Sequence, residues 1–218
     1  MKISILCTDS NHPVVNSICE WTDEMSAKGY VVSLVFDKNE LHGGDILFLV
    51  SCSQIIKDAD RDKYKATLVL HASDLPKGRG WSPYIWSILD GVNQITVSLL
   101  EATEPVDSGA IWLKKTFNLE GHELLEEINA KLFAAELHLI TQAVEQFGYI
   151  NPIQQVGDPG EYFRKRNPAD SRIDPNKSIS DQFNLLRVVD SERYPAFFDY
   201  QGVQYLIKIE KAINEKSK

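Results

Sequence analysis

The chain of 218 residues lacks the features that mark several classes of protein. Its three cysteines, Cys7, Cys19 and Cys52, form no C-x-x-C pair, so neither a disulfide framework nor a zinc site is indicated. No stretch approaches the roughly 18 continuous apolar residues that a membrane span needs. Internal repeats, glycine-rich phosphate loops and clusters of metal ligands are missing too, and no metal is therefore expected.

Positive charge is also scarce. The chain has 23 Lys and Arg residues against 31 Asp and Glu residues, a formal net charge of −8, which argues against a dedicated nucleic-acid binder. The N-terminal run from Met1 to Cys7 is short and turns polar at Thr8, so it predicts a first strand rather than a signal peptide. We therefore expect a cytoplasmic protein that binds neither nucleic acid nor a membrane.

The first 150 residues contain an alternation of strand and helix signals. The continuous apolar run 46–50 is typical of a buried parallel strand, and the segment 121–147 is typical of a long amphipathic helix. Strands are predicted at 2–7, 31–36, 46–50, 66–70, 95–100 and 111–117, and helices at 11–28, 81–89 and 121–147. This order predicts an α/β fold with a mainly parallel sheet.

The composition changes after Gly148. A polar stretch at 151–159 with two prolines predicts a linker, and it is followed by a predicted helix at 180–188 and strand-like runs at 196–200 and 203–209. We expect two parts: a catalytic domain at 1–150, and a linker with a small α+β helix-and-hairpin appendage at 151–218.

The most informative segment begins at His71. The apolar run 66–70 ends at this imidazole, and the chain then enters a loop rich in proline, glycine and basic residues. Asp107 lies in a second turn after the predicted strand 95–100. If the ends of these strands are neighbours, the carboxylate orients the imidazole and supports its charged form, which predicts a reaction site at the sheet edge.

These segments resemble the folate-dependent formyltransferases, a family that includes methionyl-tRNA, glycinamide-ribonucleotide and amino-sugar N-formyltransferases. In that family a strand ends in Asn-x-His-x-Ser-x-Leu-Pro, a basic glycine-containing loop follows, and Leu-Asp-x-Gly comes later. This chain has Val69-Leu-His71-Ala-Ser73-Asp-Leu75-Pro76, then Lys77-Gly-Arg79-Gly80, then Val106-Asp107-Ser-Gly109. The segment 162–174 is similar to the extension of the methionyl-tRNA and amino-sugar enzymes. The resemblance implies a Rossmann-like formyltransferase core.

The resemblance also implies formyl transfer from N10-formyltetrahydrofolate to an amine, with His71 as the central catalyst, Asp107 as its partner and Ser73 as a candidate donor. The family's asparagine, which donates to the formyl oxygen, is replaced here by Val69, which has no donor. Three alternatives follow. Ser73, Asn93 or a backbone N–H replaces the lost donor, a protonated His71 supports the oxyanion alone, or the protein is slow or inactive.

The resemblance further predicts two binding regions. The segment from Phe48 to Ile56 is similar to the family's folate-holding strand and loop, and the loop 102–107 is expected to close the other side of the pterin. The predicted folate-binding residues are Val50, Ser51, Cys52, Gln54, Ile55, Thr103 and Asp107. Polar residues of the first βα turn and of the basic loop are expected to hold the acceptor: Ser10, Asn11, His12, Lys77, Arg79, Gly80 and Trp81.

The acidic charge and the short tail favour a nucleotide-linked amino sugar as acceptor, of the UDP or dTDP 4-amino-4,6-dideoxy type, in bacterial surface-glycan biosynthesis. A full oligonucleotide-binding barrel needs roughly a hundred residues, whereas only about fifty follow the linker. The alternatives are a methionyl-tRNA formyltransferase and a non-catalytic folate- or sugar-nucleotide-binding homologue. The strand-like runs at 196–209 offer an edge for a homodimer through the C-terminal region.

Overall fold

The computed structural model describes residues 1–212, so the last six positions of the predicted appendage lie outside the described residues. A six-stranded sheet has the order β2-β1-β3-β4-β5-β6. Its strands are β1 (Lys2–Leu6), β2 (Val31–Val35), β3 (Gly44–Leu49), β4 (Tyr64–His71), β5 (Gln94–Glu101) and β6 (Ile111–Asn118).

The first four strands are parallel, because β1 pairs with β2 and β3, and β3 pairs with β4, all in the same direction. The predicted mainly parallel, Rossmann-like α/β sheet is confirmed. Two pairings are antiparallel, because β5 runs in the direction opposite to that of its neighbours β4 and β6. As a result, β5 begins beyond His71 and runs back along β4, with Ser98 opposite His71 and Glu101 opposite Leu68.

Two long helices cover one face of the sheet. Helix α1 (Val14–Ala27) and helix α4 (Leu125–Glu145) pack their apolar sides against β1, β3 and β5, and a hydrogen bond of 2.8 Å from Trp21 to Thr141 joins them. The hydrophobic period of about 3.6 residues explains why both segments form helices. This face forms the largest apolar cluster of the described chain.

The opposite face carries a smaller apolar cluster that includes Leu47, Leu49 and Tyr64, with Val69, Cys52 and Ala102 packed against its margin. The short helix α2 (Asp58–Arg61) precedes β4, and helix α3 (Pro83–Leu89) follows the basic loop. The two segments that the sequence predicts to bind folate, 48–56 and 102–107, therefore lie beside this second face.

The C-terminal segment forms short 3₁₀ turns, helix α5 (Phe183–Arg187) and a hairpin of β7 (Ala196–Tyr200) and β8 (Val203–Ile207) around a small apolar cluster. The predicted linker pairs with the core, because Ile153 bridges to Ile111 and Phe163 bridges to Gly80. The predicted division into residues 1–150 and 151–218 stays a prediction.

Within the described range, none of the helices combines the length and the apolar character required to cross a membrane.

Candidate active site

His71 is the last residue of β4, and its side chain is only 7% exposed. Its Nδ1 lies 3.5 Å from Oδ1 of Asp107, and its Nε2 lies 2.8 Å from the carbonyl oxygen of Gly78. Each ring nitrogen therefore lies near an oxygen atom, a carboxylate oxygen beside Nδ1 and a main-chain carbonyl oxygen beside Nε2. The ring is fixed between the two loops whose residues resemble the family motif.

Asp107 reaches the imidazole from the loop between β5 and β6. Its backbone has a φ of +59°, a left-handed conformation that is uncommon outside glycine, and its second carboxylate oxygen accepts the N–H of Gly80 at 3.0 Å. Two residues later, a Cβ on Gly109 would lie 2.0 Å from the carbonyl oxygen of Glu101. Only glycine permits this close approach, which holds the loop against the end of β5.

The loop that carries Gly78 and Gly80 is held by the C-terminal segment. The Phe163 backbone donates to the Arg79 carbonyl at 2.8 Å and accepts from the Trp81 N–H at 2.9 Å. Gly80 has a φ of +108°, and a Cβ there would come within 2.3 Å of the Phe163 carbonyl oxygen. The basic loop is therefore paired with the segment around Phe163 through main-chain hydrogen bonds.

Gln155 joins the two loops. Its side-chain amide donates to the carbonyl oxygens of Asp107 and Gly109 at 2.9 Å each, and its Oε1 accepts from Arg79 at 2.9 Å. Neither Gln155 nor the contact made by Phe163 was predicted from the sequence. Gln155 lies in a polar stretch without periodicity, so no local signal marks it.

The structure distinguishes among the residues that could replace the asparagine donor of the family, whose place is taken by Val69. Val69 packs against the second apolar cluster, and the Ser73 hydroxyl is buried with no hydrogen-bond partner in the part of the chain that the structure describes. Ser98 of β5 pairs with His71, and Asn93 lies five residues before Ser98, just ahead of β5. Five residues of extended chain span about 16 Å, so Asn93 lies about that far along the strand from the residue opposite His71. Its side-chain oxygen accepts from Arg187 at 2.8 Å. Asn93 is therefore not a donor for this site.

The predicted folate-side residues lie where β3 ends and its loop begins. Val50 is buried, Ser51 and Ile55 are exposed, and Cys52 is half-buried. Gln54 is engaged elsewhere, since it accepts from the Lys38 backbone and donates to Asp37, both at 3.0 Å. Its side chain thus supports the loop. Thr103 is exposed on the loop that leads to Asp107.

The first βα turn places Ser10, Asn11 and His12 between β1 and α1. Ser10 and Asn11 are exposed, and the backbone N–H of Asn11 donates a hydrogen bond of 3.0 Å to the Asp9 carboxylate. His12 accepts the Val14 N–H on Nδ1 at 3.2 Å, and its Nε2 lies 3.2 Å from the Ser51 hydroxyl. Burial and the nearby Arg193 charge lower the pKa of His12, so its ring is neutral at pH 7.

Four of the predicted acceptor residues lie on the basic loop: Lys77, Arg79, Gly80 and Trp81. Lys77 is exposed, whereas the Arg79 guanidinium is bound to Gln155. Trp81 is 40% exposed, and the Lys165 ammonium lies 4.8 Å from its ring centroid. The structure thus gives Arg79 and Trp81 partners within the chain, and their roles toward an acceptor stay predictions.

Among residues 1–212 no group of three or more His, Cys, Asp or Glu side chains is arranged to hold a metal ion.

Comparison with known proteins decides the family. The model of the formyl transferase family matches residues 1–144, which include β1 to β6, His71 and Asp107. The chain belongs to this family.

One relative of this formyltransferase chain is the bifunctional polymyxin resistance protein ArnA of Wigglesworthia glossinidia brevipalpis. It is 32% identical over 133 residues, which cover 60% of this chain and 20% of that protein. The chain thus spans a fifth of the length of this curated relative.

Two solved structures share the fold over nearly the whole chain. A methionyl-tRNA formyltransferase from Clostridium thermocellum superposes with a TM-score of 0.82 at 23% identity, covering 99% of this chain and 95% of that one. A 4-N formyltransferase from Francisella tularensis superposes with a TM-score of 0.77 at 16% identity, covering 97% and 98%. At these identities the likeness shows the fold.

Proposed function

We propose that this formyltransferase moves a formyl group from N10-formyltetrahydrofolate to the amine of a nucleotide-linked amino sugar. The observation that carries the proposal is the contact of 3.5 Å between His71 and Asp107, on the two motifs that resemble the family. In this proposal Asp107 holds the imidazole at Nδ1, and Nε2 leaves the Gly78 carbonyl and, as a free base, accepts the proton that the amine nitrogen loses as it attacks the formyl carbon.

The surroundings of His71 fit the proposed folate co-substrate. Val50 to Cys52 offer main-chain groups at the end of β3, and Val69 and Ala102 offer apolar surface beside them. A flat heterocycle requires this combination of main-chain hydrogen bonds and apolar contact. In this proposal Thr103 and the backbone of the Asp107 loop lie against the other side of the pterin.

The net charge of −8 supports a sugar nucleotide over tRNA, because a tRNA-binding protein gains affinity from basic surface. Chain length does not distinguish a sugar nucleotide from tRNA as the acceptor, because this chain superposes on 95% of the length of the Clostridium methionyl-tRNA formyltransferase. We take the 4-position as the site of formylation by analogy with the Francisella 4-N formyltransferase, which shares this fold and is covered over 98% of its length. In this proposal the enzyme acts in surface-glycan biosynthesis.

A turnover assay tests this proposal. Purified protein is incubated with N10-formyltetrahydrofolate and a panel of UDP- and dTDP-linked amino sugars, and tetrahydrofolate release is measured. We expect turnover with a 4-amino-4,6-dideoxy sugar and none with methionyl-tRNA. Turnover with methionyl-tRNA alone would contradict the acceptor. Folate binding without turnover on any amine would indicate a non-catalytic homologue.

We also propose a homodimer through the β7–β8 hairpin. Tyr200, Val203, Tyr205 and Leu206 are all at least 47% exposed, and β8 is an edge strand of the two-stranded sheet. Exposed apolar edges of this kind favour pairing with a second chain. Sedimentation equilibrium is expected to give twice the chain mass, and Leu206→Glu to give the mass of one chain. A parent protein that sediments as a monomer at micromolar concentration would refute the dimer.

A further inference from the structure

The replacement of the family's asparagine by Val69 leaves the formyl oxygen without its usual side-chain donor. Val69 packs against the apolar margin that includes Cys52 and Ala102, and it has no polar atom beyond its backbone. Formyl transfer places negative charge on the formyl oxygen, and removal of one donor to such an oxygen costs about 10²–10³-fold in rate. An active enzyme therefore requires another donor near His71.

Ser51 lies just beyond the end of β3, at the edge of the sheet where the neighbouring strand β4 ends with His71. Strands β3 and β4 are parallel and their last pair is Leu49 with Val69, so Ser51 and His71 each follow that pair by two residues, Ser51 in the loop and His71 in the strand. Neighbouring strands are about 4.8 Å apart, so this loop begins beside the end of β4. Ser51 is exposed and has a φ of +48°, a left-handed conformation that is rare for a residue with a side chain.

The hydrogen bonds of His12 determine which way the Ser51 hydroxyl donates. The imidazole accepts the Val14 backbone N–H on Nδ1 at 3.2 Å, so the neutral ring carries its proton on Nε2. Nε2 lies 3.2 Å from the Ser51 oxygen and donates to it. The Ser51 O–H proton is then available for another acceptor, and none of the residues that the structure describes takes it.

We propose that Ser51, polarised by His12, is the catalytic donor that stabilises the formyl oxygen in place of the family's asparagine. The inference rests on the proposed formyl transfer. The amine nitrogen forms a bond to the formyl carbon, and the carbonyl electron pair moves to the oxygen, which accepts the Ser51 hydrogen bond. The electron pair on the oxygen then re-forms the carbonyl as the carbon–N10 bond breaks, the pair of that bond stays on N10, and the proton that His71 took from the amine goes to N10. The products are the formamide and tetrahydrofolate.

The surroundings of the His12–Ser51 pair favour this role. Burial lowers the pKa of His12, and Arg193 lowers it further, although Asp9 opposes the shift. The ring therefore stays neutral and keeps a single, defined donor at pH 7. The Thr8 hydroxyl accepts the Ser53 N–H at 2.8 Å and lies 3.4 Å from the Ser51 carbonyl oxygen, so the turn that carries Ser51 is tied to the end of β1.

The test removes the Ser51 hydroxyl and then restores a donor at residue 69. With the amino sugar that the parent protein formylates, Ser51→Ala is expected to lower kcat about 10²–10³-fold, with little change in the KM for N10-formyltetrahydrofolate. Adding Val69→Asn to Ser51→Ala supplies the family's donor directly and is expected to recover at least about tenfold of that loss. His12→Asn keeps an acceptor for Val14 but does not reach Ser51, and it is expected to give a smaller loss.

Ser26→Ala, at an exposed position in α1, serves as the matched control and is expected to leave kcat unchanged. A Ser51→Ala protein within about threefold of the parent kcat would overturn the inference while leaving the proposed function intact. A loss that Val69→Asn does not repair, with an unchanged melting temperature, would also overturn it. A parent protein without turnover on any amine would refute the proposed function itself and this inference with it.

Discussion

Replacing His71 with asparagine is expected to lower kcat about 10²–10⁴-fold while the protein still binds folate, because asparagine does not accept a proton at neutral pH. The imidazole is fixed between Asp107 and the Gly78 carbonyl, so its loss removes the group that accepts the amine proton. The proposed folate-holding residues of the β3 loop are left in place. The measurement is tetrahydrofolate release under saturating acceptor, together with tetrahydrofolate affinity by calorimetry.

His122→Asn is the control for this substitution, since His122 is exposed. We expect it to have the parent activity. If His71→Asn retains more than about a tenth of the parent kcat, the proton passes to another group and the assignment of His71 is wrong. A loss of both turnover and folate affinity, with an unchanged melting temperature, would place His71 in binding rather than in proton transfer.

The second large effect concerns Glu136 on α4, which is expected to make stability depend on pH. This residue is 8% exposed, and its Oε2 is buried without a hydrogen-bond partner among the described residues. Burial raises the pKa of Glu136 from 4.5 to about 8. A charged carboxylate in such surroundings is costly, so the folded protein holds Glu136 protonated at neutral pH.

The direction of the pH dependence follows from the two pKa values. Below pH 4.5 the carboxyl is protonated in both states, and the full stability is present. As the pH rises toward 8 the unfolded chain releases this proton while the folded chain retains it, so the free energy of unfolding falls by about 1.4 kcal/mol per pH unit. This amounts to roughly 3 kcal/mol at pH 7, and the loss levels off above pH 8.

Glu136→Gln has the shape of the protonated carboxyl and does not titrate. We expect it to raise the melting temperature by roughly 5–10 °C at pH 7 and to have little effect at pH 5. Calorimetry of both proteins between pH 5 and pH 8.5 checks this expectation. Glu145→Gln, at an exposed position near the end of the same helix, is the control and should follow the parent curve. Parallel curves for the parent and Glu136→Gln would show that Glu136 is ionised in the folded protein.

The proposed catalytic pair was predictable from the sequence because each residue lies in a local motif. His71 follows an apolar strand and precedes a proline- and glycine-rich loop, and Asp107 lies in a second motif of the same kind. We expected two adjacent strand ends to bring Asp107 to His71, but the end of β5 lies opposite Leu68 and not at the end of β4. β5 runs antiparallel to β4, and the loop after it brings Asp107 to the imidazole.

The residues that hold this pair were not predictable in the same way. Gln155 lies 48 residues after Asp107, yet its amide donates to that residue's carbonyl oxygen. Phe163 pairs with the basic loop through its backbone N–H and C=O groups, which any residue other than proline offers, while its ring stacks on Trp86. Neither contact has a local signal in the sequence, because each joins residues far apart in the chain.

The sequence by itself determined the α/β fold class, the positions of the strands along the chain and the identity of the two motifs, because hydrophobic period and glycine or proline placement act over short distances along the chain. Only the tertiary structure decided the direction of β5, the exclusion of Asn93 and the contact between His12 and Ser51. These depend on contacts between residues far apart in the chain, which arise only when the strands and helices pack together.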